Sequence, residues 1–423
     1  MFMNEQLIKR VIADQAEELK IRKNIKLVER DVFSYAKQFL NEKIIKVITG
    51  VRRCGKSTFC HQLLEGQSYG YLNFDDERLM GLEANDLDQI LENILVAYPN
   101  AQYLLFDEIQ NVYGWELFAN RLMRQGYNIV LSGSNSKMLS RELATHLTGR
   151  SIQIELFPFS FREYLKLKNE NYDENQSNST KKIAKIRLLL NEYIEYGGFP
   201  EINILENKNK YLRELFDKII FRDIVERYKI RDITTLKELG LTMINYFSYL
   251  FTYNKLSNSL QINSVNTVKE YLSYLEETYL ICYLQNHSFK IKEEIRNPRK
   301  VYSIDTGLIN ALSTSISQNY GRKIENIVFL NEKRKENRIN YFSDGKCEVD
   351  FLITNQKNEI TLIQVAQDIS DERTFKREID SILKTVKNIS AKKLLIINET
   401  KEEKFNIDGN QIEIIPLWKY LLT

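Results

Sequence analysis

Val47-Ile-Thr-Gly50-Val-Arg-Arg-Cys-Gly55-Lys56-Ser57-Thr58 is the stretch that decides the fold, because it matches the phosphate-loop pattern G-x-x-x-x-G-K-[ST]. The apolar residues from 44 to 48 predict a short buried strand before the loop, and residues 57 to 64 predict a helix directly after it. A glycine turn beside a solvated lysine would also match these letters. The flanking strand and helix favour phosphate binding, since they place the loop at a helix N-terminus.

The residue types of this loop each have a chemical reason. Glycine at two positions lets successive backbone N–H groups point into one concavity that can wrap an anion. Lys56 would reach the β- and γ-phosphates of ATP, and the Ser57 hydroxyl would be a ligand of Mg²⁺, with Thr58 as the weaker candidate. We therefore predict ATP and Mg²⁺ as cofactors. The predicted binding residues are Gly50, Val51, Arg52, Arg53, Cys54, Gly55, Lys56, Ser57 and Thr58.

An acidic pair ends a second apolar run, Tyr103-Leu-Leu-Phe106-Asp107-Glu108. Asp107 would hold Mg²⁺, commonly through water, and Glu108 would orient or deprotonate the attacking water. Taken alone, such a run is only a strand that meets a charged turn. Because it follows a phosphate loop, we interpret it as the second half of a nucleotide site.

Three further residues are candidates for catalysis. Residues 128–131 predict a strand that ends in a serine-rich segment, where Ser134 or Asn135 could hydrogen-bond the attacking water or the γ-phosphate. A helix cap is the alternative for both. Arg150 could be an arginine finger, acting in cis or on a neighbouring subunit. A surface arginine at a helix end is the alternative for Arg150.

Composition limits the class of protein. A chain of 423 residues allows two or three domains, and a hydrophobic fraction of 43% is that of a folded protein. The net charge of +3, from 60 basic and 57 acidic residues, requires any basic surface to be local. Four cysteines without a CxxC pair and three histidines argue against a zinc site or a disulfide framework. The cysteine usage favours a cytoplasmic protein in a reducing environment, and since neither a signal peptide nor a membrane span is predicted, we expect no membrane contact.

Strands that alternate with helices predict an α/β fold, a doubly wound parallel sheet with the P-loop after its first strand. The P-loop, the acidic pair and four later segments resemble the bacterial and archaeal AAA-like ATPases that carry a C-terminal domain of unknown function. These segments are Leu147-Thr-Gly-Arg150, Pro158-Phe-Ser-Phe-Arg-Glu-Tyr164, Tyr196-Gly-Gly-Phe-Pro200 and Phe221-Arg-Asp-Ile-Val-Glu-Arg227. The resemblance covers nearly the whole chain and implies an ATPase core.

Four segments follow from this pattern. We predict a P-loop ATPase domain (1–165), a polar linker with a helical segment (166–235), a winged-helix-like domain (236–310) and a degenerate restriction-endonuclease-like α/β domain (311–423).

The winged-helix prediction depends on an apolar helix over 239–251, a long helix over 267–280 and two strands around a basic loop. Such a module could place its second helix in the major groove of DNA. The cations that could meet phosphates are Lys290, Lys292, Arg296, Arg299 and Lys300. Because the second helix carries Glu270, Glu276 and Glu277, contact with a protein partner is the alternative.

From about residue 321 the chain resembles a restriction-endonuclease-like fold, with Glu325 on a helix and Asp350 on a hairpin. An active nuclease of that fold has an aspartate on the hairpin and Glu-x-Lys on the next strand, which together hold Mg²⁺ and position water. Here Gln364 and Ala366 fill the glutamate and lysine positions, and Lys376 is the nearest lysine that could substitute. We therefore expect a retained fold with lost or altered nuclease activity.

Three functions remain open. The first is a Mg²⁺-dependent ATPase that couples ATP binding and hydrolysis to rearrangement of C-terminal domains that bind DNA or a partner. The second is an ATP-switched binding module with little hydrolysis, and the third is an ATP-gated DNA nuclease. The implied partners are ATP, DNA, a protein and further copies of the chain in a homo-oligomer.

Overall fold

A computed structural model of the chain describes residues 4–22, 27–134, 149–172, 179–288, 290–313 and 320–423. The chain divides into two compact units. The first is formed by Met1–Pro158 with Glu277–Tyr279, and the second by Phe159–Glu276 with Leu280–Thr423. No described helix is both long and apolar enough to cross a membrane.

The first unit contains five strands, five helices and short 3₁₀ turns in its described residues. The strands are β1 (Ile45–Gly50), β2 (Tyr69–Asn73), β3 (Tyr103–Asp107), β4 (Asn128–Gly133) and β5 (Ser151–Leu156). The helices are α1 (Glu5–Arg22), α2 (Phe33–Gln38), α3 (Lys56–Leu63), α4 (Leu87–Ala97) and α5 (Trp115–Arg124), and the turns are Glu77–Leu79, Ala84–Asp86 and Ile109–Asn111.

The five strands form one sheet in the order β2-β3-β4-β1-β5, and all neighbouring pairs are parallel. Strand β1 lies between β4 and β5 and is buried at every residue, including Lys46 and Thr49. Apolar side chains of α1, α4 and α5, among them Ile8 and Trp115, pack with the strands in one buried cluster, and each contributes about 1.5–3 kcal/mol. The predicted α/β class and parallel sheet are confirmed.

The strand order determines which loops meet. Strand β4 lies between β1 and β3, with Thr49 beside Gly133 and Phe106 beside Leu131. Since parallel strands end at the same edge of a sheet, the loops after β1, β3 and β4 emerge side by side. The P-loop, the acidic pair and Ser134 therefore share the carboxyl edge.

The second unit begins with helices and a three-stranded antiparallel sheet. The helices are α6 (Phe161–Leu167), α7 (Thr180–Tyr196), α8 (Lys208–Lys218), α9 (Ile233–Asn245), α10 (Tyr253–Ser259), α11 (Val265–Glu277), α12 (Ile291–Arg296) and α13 (Thr306–Leu312). A 3₁₀ turn (Pro200–Ile204) precedes α8, and a π-helix (Ile219–Val225) and a short α-helix (Glu226–Tyr228) follow it. The strands β6 (Leu250–Phe251), β7 (Ile281–Leu284) and β8 (Arg299–Ser303) pair in the order β6-β8-β7. The helix predicted over 239–251 instead ends at Asn245, because Phe251 pairs with Arg299 in the sheet.

The C-terminal part of the second unit is a mixed six-stranded sheet. Its strands are β9 (Arg338–Ser343), β10 (Glu348–Thr354), β11 (Ile360–Val365), β12 (Lys393–Asn398), β13 (Glu403–Ile407) and β14 (Asn410–Pro416), and its helices are α14 (Tyr320–Lys333), α15 (Glu372–Val386) and α16 (Leu417–Tyr420). The strand order is β13-β14-β12-β11-β10-β9, with β11, β12 and β14 parallel. Helix α15 packs on this sheet through buried residues that include Ile379 and Ile382.

Candidate functional site

The backbone of the P-loop requires glycine at two positions. Gly50 ends β1 with φ 152°, and a side chain there would collide with the carbonyl oxygen of Leu156. Gly55 has φ 95° and stands directly before the first residue of α3. These conformations are costly for residues with a Cβ, so the glycines of the motif are needed to turn the chain from β1 into α3.

The other P-loop residues differ in how deeply their side chains are buried. Val51 and Cys54 are buried, whereas the Arg52 guanidinium lies 3.6 Å from the Asp75 carboxylate. Ser57 and Thr58 stand in the first turn of α3, where Ser57 is half-buried and Thr58 is exposed. Ser57 is therefore the better enclosed of the two hydroxyls that were predicted as metal ligands.

Lys56 is a buried ammonium folded over its own loop. Its Nζ donates hydrogen bonds to the carbonyl oxygens of Gly50 (3.1 Å) and Val51 (3.2 Å) and lies 3.7 Å from Glu108 Oε1. The lysine side chain is only 5% exposed. A buried cation held by neutral carbonyls and one carboxylate is well placed to exchange these partners for phosphate oxygens, which interact more strongly with it.

Asp107 and Glu108 leave β3 in different directions. Asp107 is buried and accepts a hydrogen bond from the Ser132 hydroxyl on the neighbouring strand β4. Glu108 has a left-handed backbone, φ 52°, which turns its side chain toward Lys56. Its Oε2 accepts hydrogen bonds from Gln110 Nε2 (2.5 Å) and from the Ser134 backbone N–H (3.3 Å). A left-handed non-glycine residue is costly and persists where its surroundings hold it.

Ser134 lies at the tip of β4, beside the P-loop strand, where a residue that senses the γ-phosphate was predicted. Its backbone N–H donates to Glu108, but its hydroxyl oxygen is buried and has no hydrogen-bond partner among the described residues. A buried hydroxyl without a partner is costly, and a ligand or water at the carboxyl edge would satisfy it. Asn135, the alternative candidate, lies outside the described residues.

Arg150 is placed at the other edge of the sheet. It directly precedes β5, its carbonyl accepts a hydrogen bond from the Ile45 N–H at the start of β1, and its Nη1 donates to Asn120 Oδ1 at 3.2 Å. The P-loop begins at Gly50, a full strand length away at about 3.3 Å per residue. The structure therefore does not bring Arg150 to the P-loop of its own chain.

A buried arginine that sequence reasoning missed supports the P-loop from behind. Arg30 donates from Nη1 to the carbonyl oxygen of Cys54 (2.9 Å) and from Nη2 to that of Phe157 (2.5 Å). The Cys54 thiol donates to the Leu156 carbonyl at 3.2 Å, and burial raises the pKa of Cys54. Arg30 thus holds the loop to the segment after β5. No local motif marks Arg30, because its partners are distant in sequence.

A second contact missed by sequence reasoning lies on the residue before Gly50. The Thr49 hydroxyl accepts hydrogen bonds from the Tyr279 hydroxyl (2.8 Å) and from Gln153 Nε2 (3.0 Å). Tyr279 has φ 63° and belongs to the loop Glu277–Tyr279 of the first unit. The last residue before the P-loop is therefore fixed by side chains from β5 and from this loop.

The residues at the carboxyl edge fit a Mg²⁺ ion that accompanies a nucleotide. Such an ion takes oxygen ligands, commonly one or two from the protein and the rest from phosphates and water. Ser57 and Asp107 would supply those protein oxygens. In the described part of the chain, no group of three or more His, Cys, Asp or Glu side chains could hold a metal by itself.

A separate charged cluster lies in the second unit. The Lys300 Nζ on β8 lies 2.8 Å from Asp350 Oδ1, 2.9 Å from Glu325 Oε1 and 3.1 Å from Glu348 Oε1. Sequence reasoning placed Lys300 among the cations that meet DNA phosphates, and this is wrong, because its side chain is buried among carboxylates. The lysine that contacts Asp350 is therefore Lys300 on β8, whereas Lys376 was predicted from the sequence as the nearest lysine that could substitute.

Gln364 is also integrated into this cluster. Its Oε1 accepts from the Asp350 backbone N–H at 3.2 Å, and its Nε2 donates to Glu378 Oε2 at 2.6 Å. Gln364 thus accepts a hydrogen bond through its amide oxygen and donates one through its amide nitrogen, whereas a carboxylate could only accept. Ala366 is buried in the core of the six-stranded sheet.

A parallel sheet with a P-loop after β1 and an acidic pair at the end of β3 defines the class of P-loop NTPases. Two family profiles match the chain, an AAA domain over residues 42–165 and a domain of unknown function, DUF8612, over residues 187–319. The chain belongs to the family of AAA-like P-loop ATPases with a C-terminal domain of unknown function.

Relatives of similar length support this assignment. The uncharacterized protein MJ1544 of Methanocaldococcus jannaschii is 38% identical, and the match covers 99% of this chain and 95% of that protein. An uncharacterized protein of Haemophilus influenzae is 33% identical, with 91% and 96% covered. Among solved structures, the Walker-type ATPase PABY2304 of Pyrococcus abyssi is 13% identical with a TM-score of 0.42, and the match covers 68% of this chain and 96% of that one.

Proposed function

We propose that the protein is a Mg²⁺-dependent ATPase that couples ATP binding and hydrolysis to rearrangement of C-terminal domains that bind DNA or a partner protein. The observation that carries the proposal is the convergence of Lys56, Glu108 and Ser134 at one sheet edge. This edge combines a cation for phosphate, a carboxylate for water and a buried hydroxyl whose hydrogen bond is unmade.

The chemistry follows from the positions of these side chains. Lys56 would bind phosphate oxygens, and Glu108, released from its ion pair with Lys56, would accept a proton from the attacking water. The Ser134 N–H donates a hydrogen bond to the Glu108 carboxylate and holds it in place. Asp107 would bind the metal. Bound Mg²⁺ would neutralise charge that develops on the phosphates.

The coupling part of the proposal is supported by the Tyr279 loop. Tyr279 donates to Thr49, the residue before Gly50, and the chain on both sides of Glu277–Tyr279 belongs to the second unit. A change of the P-loop on ATP binding would move Thr49 and, through this hydrogen bond, the loop. Helix α11 ends at Glu277, so its last residue would be displaced with this segment.

Binding of DNA is supported by the element order over residues 233–303, which is helix, short strand, two helices and two strands with the short helix α12 between them. That order is the one expected of a winged helix, with α11 as its second helix in the helix-turn-helix pair. Its basic surface is smaller than the sequence suggested, because Lys300 is buried and Arg299 packs against the rings of Tyr253 and Tyr283.

The deciding experiment compares ATP binding with ATP turnover in the purified full chain. Binding accompanied by Mg²⁺-dependent release of phosphate supports the ATPase. Binding without turnover, with and without DNA, would favour the ATP-switched binding module instead. Absence of ATP binding at millimolar ATP would overturn both.

A further inference from the structure

The Lys300 ammonium occupies the point on which three carboxylates of the second unit converge. Its side chain is 5% exposed, those of Glu325 and Asp350 are each 10% exposed, and that of Glu348 is 40% exposed. All three oxygens lie within 3.1 Å of the nitrogen. The cluster is thus buried on one side and reaches solvent at Glu348.

The two buried carboxylates also accept hydrogen bonds from other groups. Asp350 Oδ2 accepts from the Val365 N–H at 3.0 Å, and Glu325 accepts from the Tyr302 hydroxyl at 2.8 Å. Lys300 itself stands in the middle strand of a three-stranded sheet, paired with Leu250 and Leu284. The backbone of Lys300 is therefore held by strands on both sides, and its ammonium is held by the three carboxylates.

Charge favours a cation at this point. With all groups ionised, three carboxylates and one ammonium leave an excess of negative charge, and the removal of the ammonium would leave three buried or half-buried anions side by side. Burial acts to lower the pKa of Lys300, but the Asp350 and Glu325 carboxylates outweigh it and raise that pKa well above its ordinary value. Lysine therefore stays charged.

The same point is where a divalent cation would have to bind. Mg²⁺ and Mn²⁺ need carboxylate oxygens at about 2.0–2.2 Å around a shared centre, and in this cluster the shared centre is the Lys300 nitrogen. An ammonium and a metal cannot both occupy it. A metal would also have to repay the loss of three charge-assisted hydrogen bonds.

We propose that Lys300 is the resident cation of the Glu325, Glu348 and Asp350 cluster and excludes divalent metal from it. The common centre of the three carboxylates is then occupied by the chain's own ammonium. Metal-dependent cleavage at Asp350 would then lack the metal that it needs. The inference is independent of the ATPase proposal, because it concerns other residues in the other unit.

The test measures Mn²⁺ binding to the full chain without nucleotide, by the loss of the free-ion signal in electron paramagnetic resonance. We expect the parent and the control Lys290→Met, which removes an exposed lysine, to bind Mn²⁺ equally weakly. Lys300→Met, which keeps the aliphatic length but removes the charge, should bind one Mn²⁺ more tightly by at least about tenfold. Lys300→Met/Asp350→Asn should lose that gain.

Two outcomes overturn the proposal. One is Mn²⁺ binding by the parent that Asp350→Asn abolishes, because the cluster would then hold metal beside Lys300. The other is a folded Lys300→Met protein that binds Mn²⁺ no better than the parent.

A third variant covers the case in which Lys300→Met does not fold. Lys300→Met/Glu325→Gln/Asp350→Asn removes the unpaired charges, so it should fold if the ammonium is needed only as their counter-ion. If the triple variant folds while Lys300→Met does not, the proposal is supported. If neither folds, Lys300 has a role other than the cation of this cluster and the proposal fails.

Discussion

The Lys56 ammonium and the Glu108 carboxylate form an ion pair, with 3.7 Å between Nζ and Oε1, although they follow different strands of the parallel sheet. Strand β4 lies between β1 and β3, and all three parallel strands end at the same edge of the sheet. The segments that follow β1 and β3 can therefore meet at that edge. Glu108 is held at the same time by the Ser134 N–H. The cation expected to bind phosphate and the base expected to activate water therefore share one network.

Replacing Lys56 by alanine should abolish ATP binding. The phosphates would lose their buried cation, and Glu108 would face them without a counter-charge. Binding is measured with a fluorescent ATP analogue and turnover by phosphate release. Lys9→Ala, which removes an exposed lysine paired with Glu5, is the control and should behave as the parent. Hydrolysis at the parental rate by Lys56→Ala would show that the P-loop assignment is wrong.

Glu108→Gln should keep ATP bound and slow its hydrolysis by about 10²- to 10⁴-fold, the usual contribution of a general base. The amide oxygen can still accept from the Ser134 N–H, so the local structure is preserved, but the amide cannot take a proton. The measurement is single-turnover hydrolysis beside equilibrium binding. Glu65→Gln, at an exposed glutamate of the same unit, is the matched control. Equal losses of affinity and rate would make Glu108 a structural residue.

Much of the first unit could be predicted because its signals are local. The strand predicted over residues 44–48 matches β1, and the helix predicted over residues 57–64 matches α3. Apolar runs and the glycines that mark turns are properties of neighbouring residues, so they can be recognised in the sequence before the fold is known. The acidic pair could be assigned to the same site only because the P-loop motif was present, since Glu108 lies far from Lys56 in sequence.

What could not be predicted depends on contacts between distant segments. Arg30 reaches Phe157, Tyr279 reaches Thr49, and Lys300 reaches Asp350. Lys376 was predicted as the nearest lysine that could substitute in the nuclease-like motif, but Lys300 is the lysine that contacts Asp350, because the fold decides which lysine is near in space. Such pairings follow from the packing of the whole unit, which no local pattern records.

Arg150→Ala should leave ATP hydrolysis unchanged at concentrations where the chain is monomeric, since Arg150 lies at the amino edge of the sheet next to Asn120. In an assembly, Arg150 acting as an arginine finger on a neighbouring subunit would raise the rate of ATP hydrolysis by about 10³- to 10⁵-fold. Mixing Arg150→Ala with Lys56→Ala tests this, because one variant supplies the ATP site and the other the arginine. A large loss of rate in the monomer would contradict the observed placement.

Glu325→Gln should flatten the dependence of stability on pH. Burial raises the pKa of Glu325 to about 7, while an unfolded glutamate has a pKa of about 4.3. Between these values the folded state keeps a proton that the unfolded chain has released. Stability therefore falls as pH rises through this window, by up to about 1.4 kcal/mol per pH unit.

Urea unfolding at intervals from about pH 4.5 to about pH 7 measures this contribution. Since glutamine does not titrate, the free energy of unfolding of Glu325→Gln should fall less steeply than that of the parent. Glu336→Gln, at an exposed residue near the end of the same helix, should follow the parent. Identical slopes for Glu325→Gln and the parent would show that Glu325 is ionised throughout the range.

DNA binding, if it occurs through the winged helix, should weaken steeply with salt and depend on Lys290, Lys292 and Arg296. These three are exposed, whereas Lys300 is buried in its carboxylate cluster. Each phosphate contact that is lost should lower the slope of log affinity against log salt by about 0.9. The combined glutamine substitution of all three residues should therefore flatten the salt dependence. Lys404→Gln, which changes an exposed lysine on β13, should leave it unchanged. Gel shifts are measured with and without ATP. If the parent gives no gel shift at low salt, with or without ATP, contact with a protein partner is the one predicted role of the winged-helix-like domain that remains.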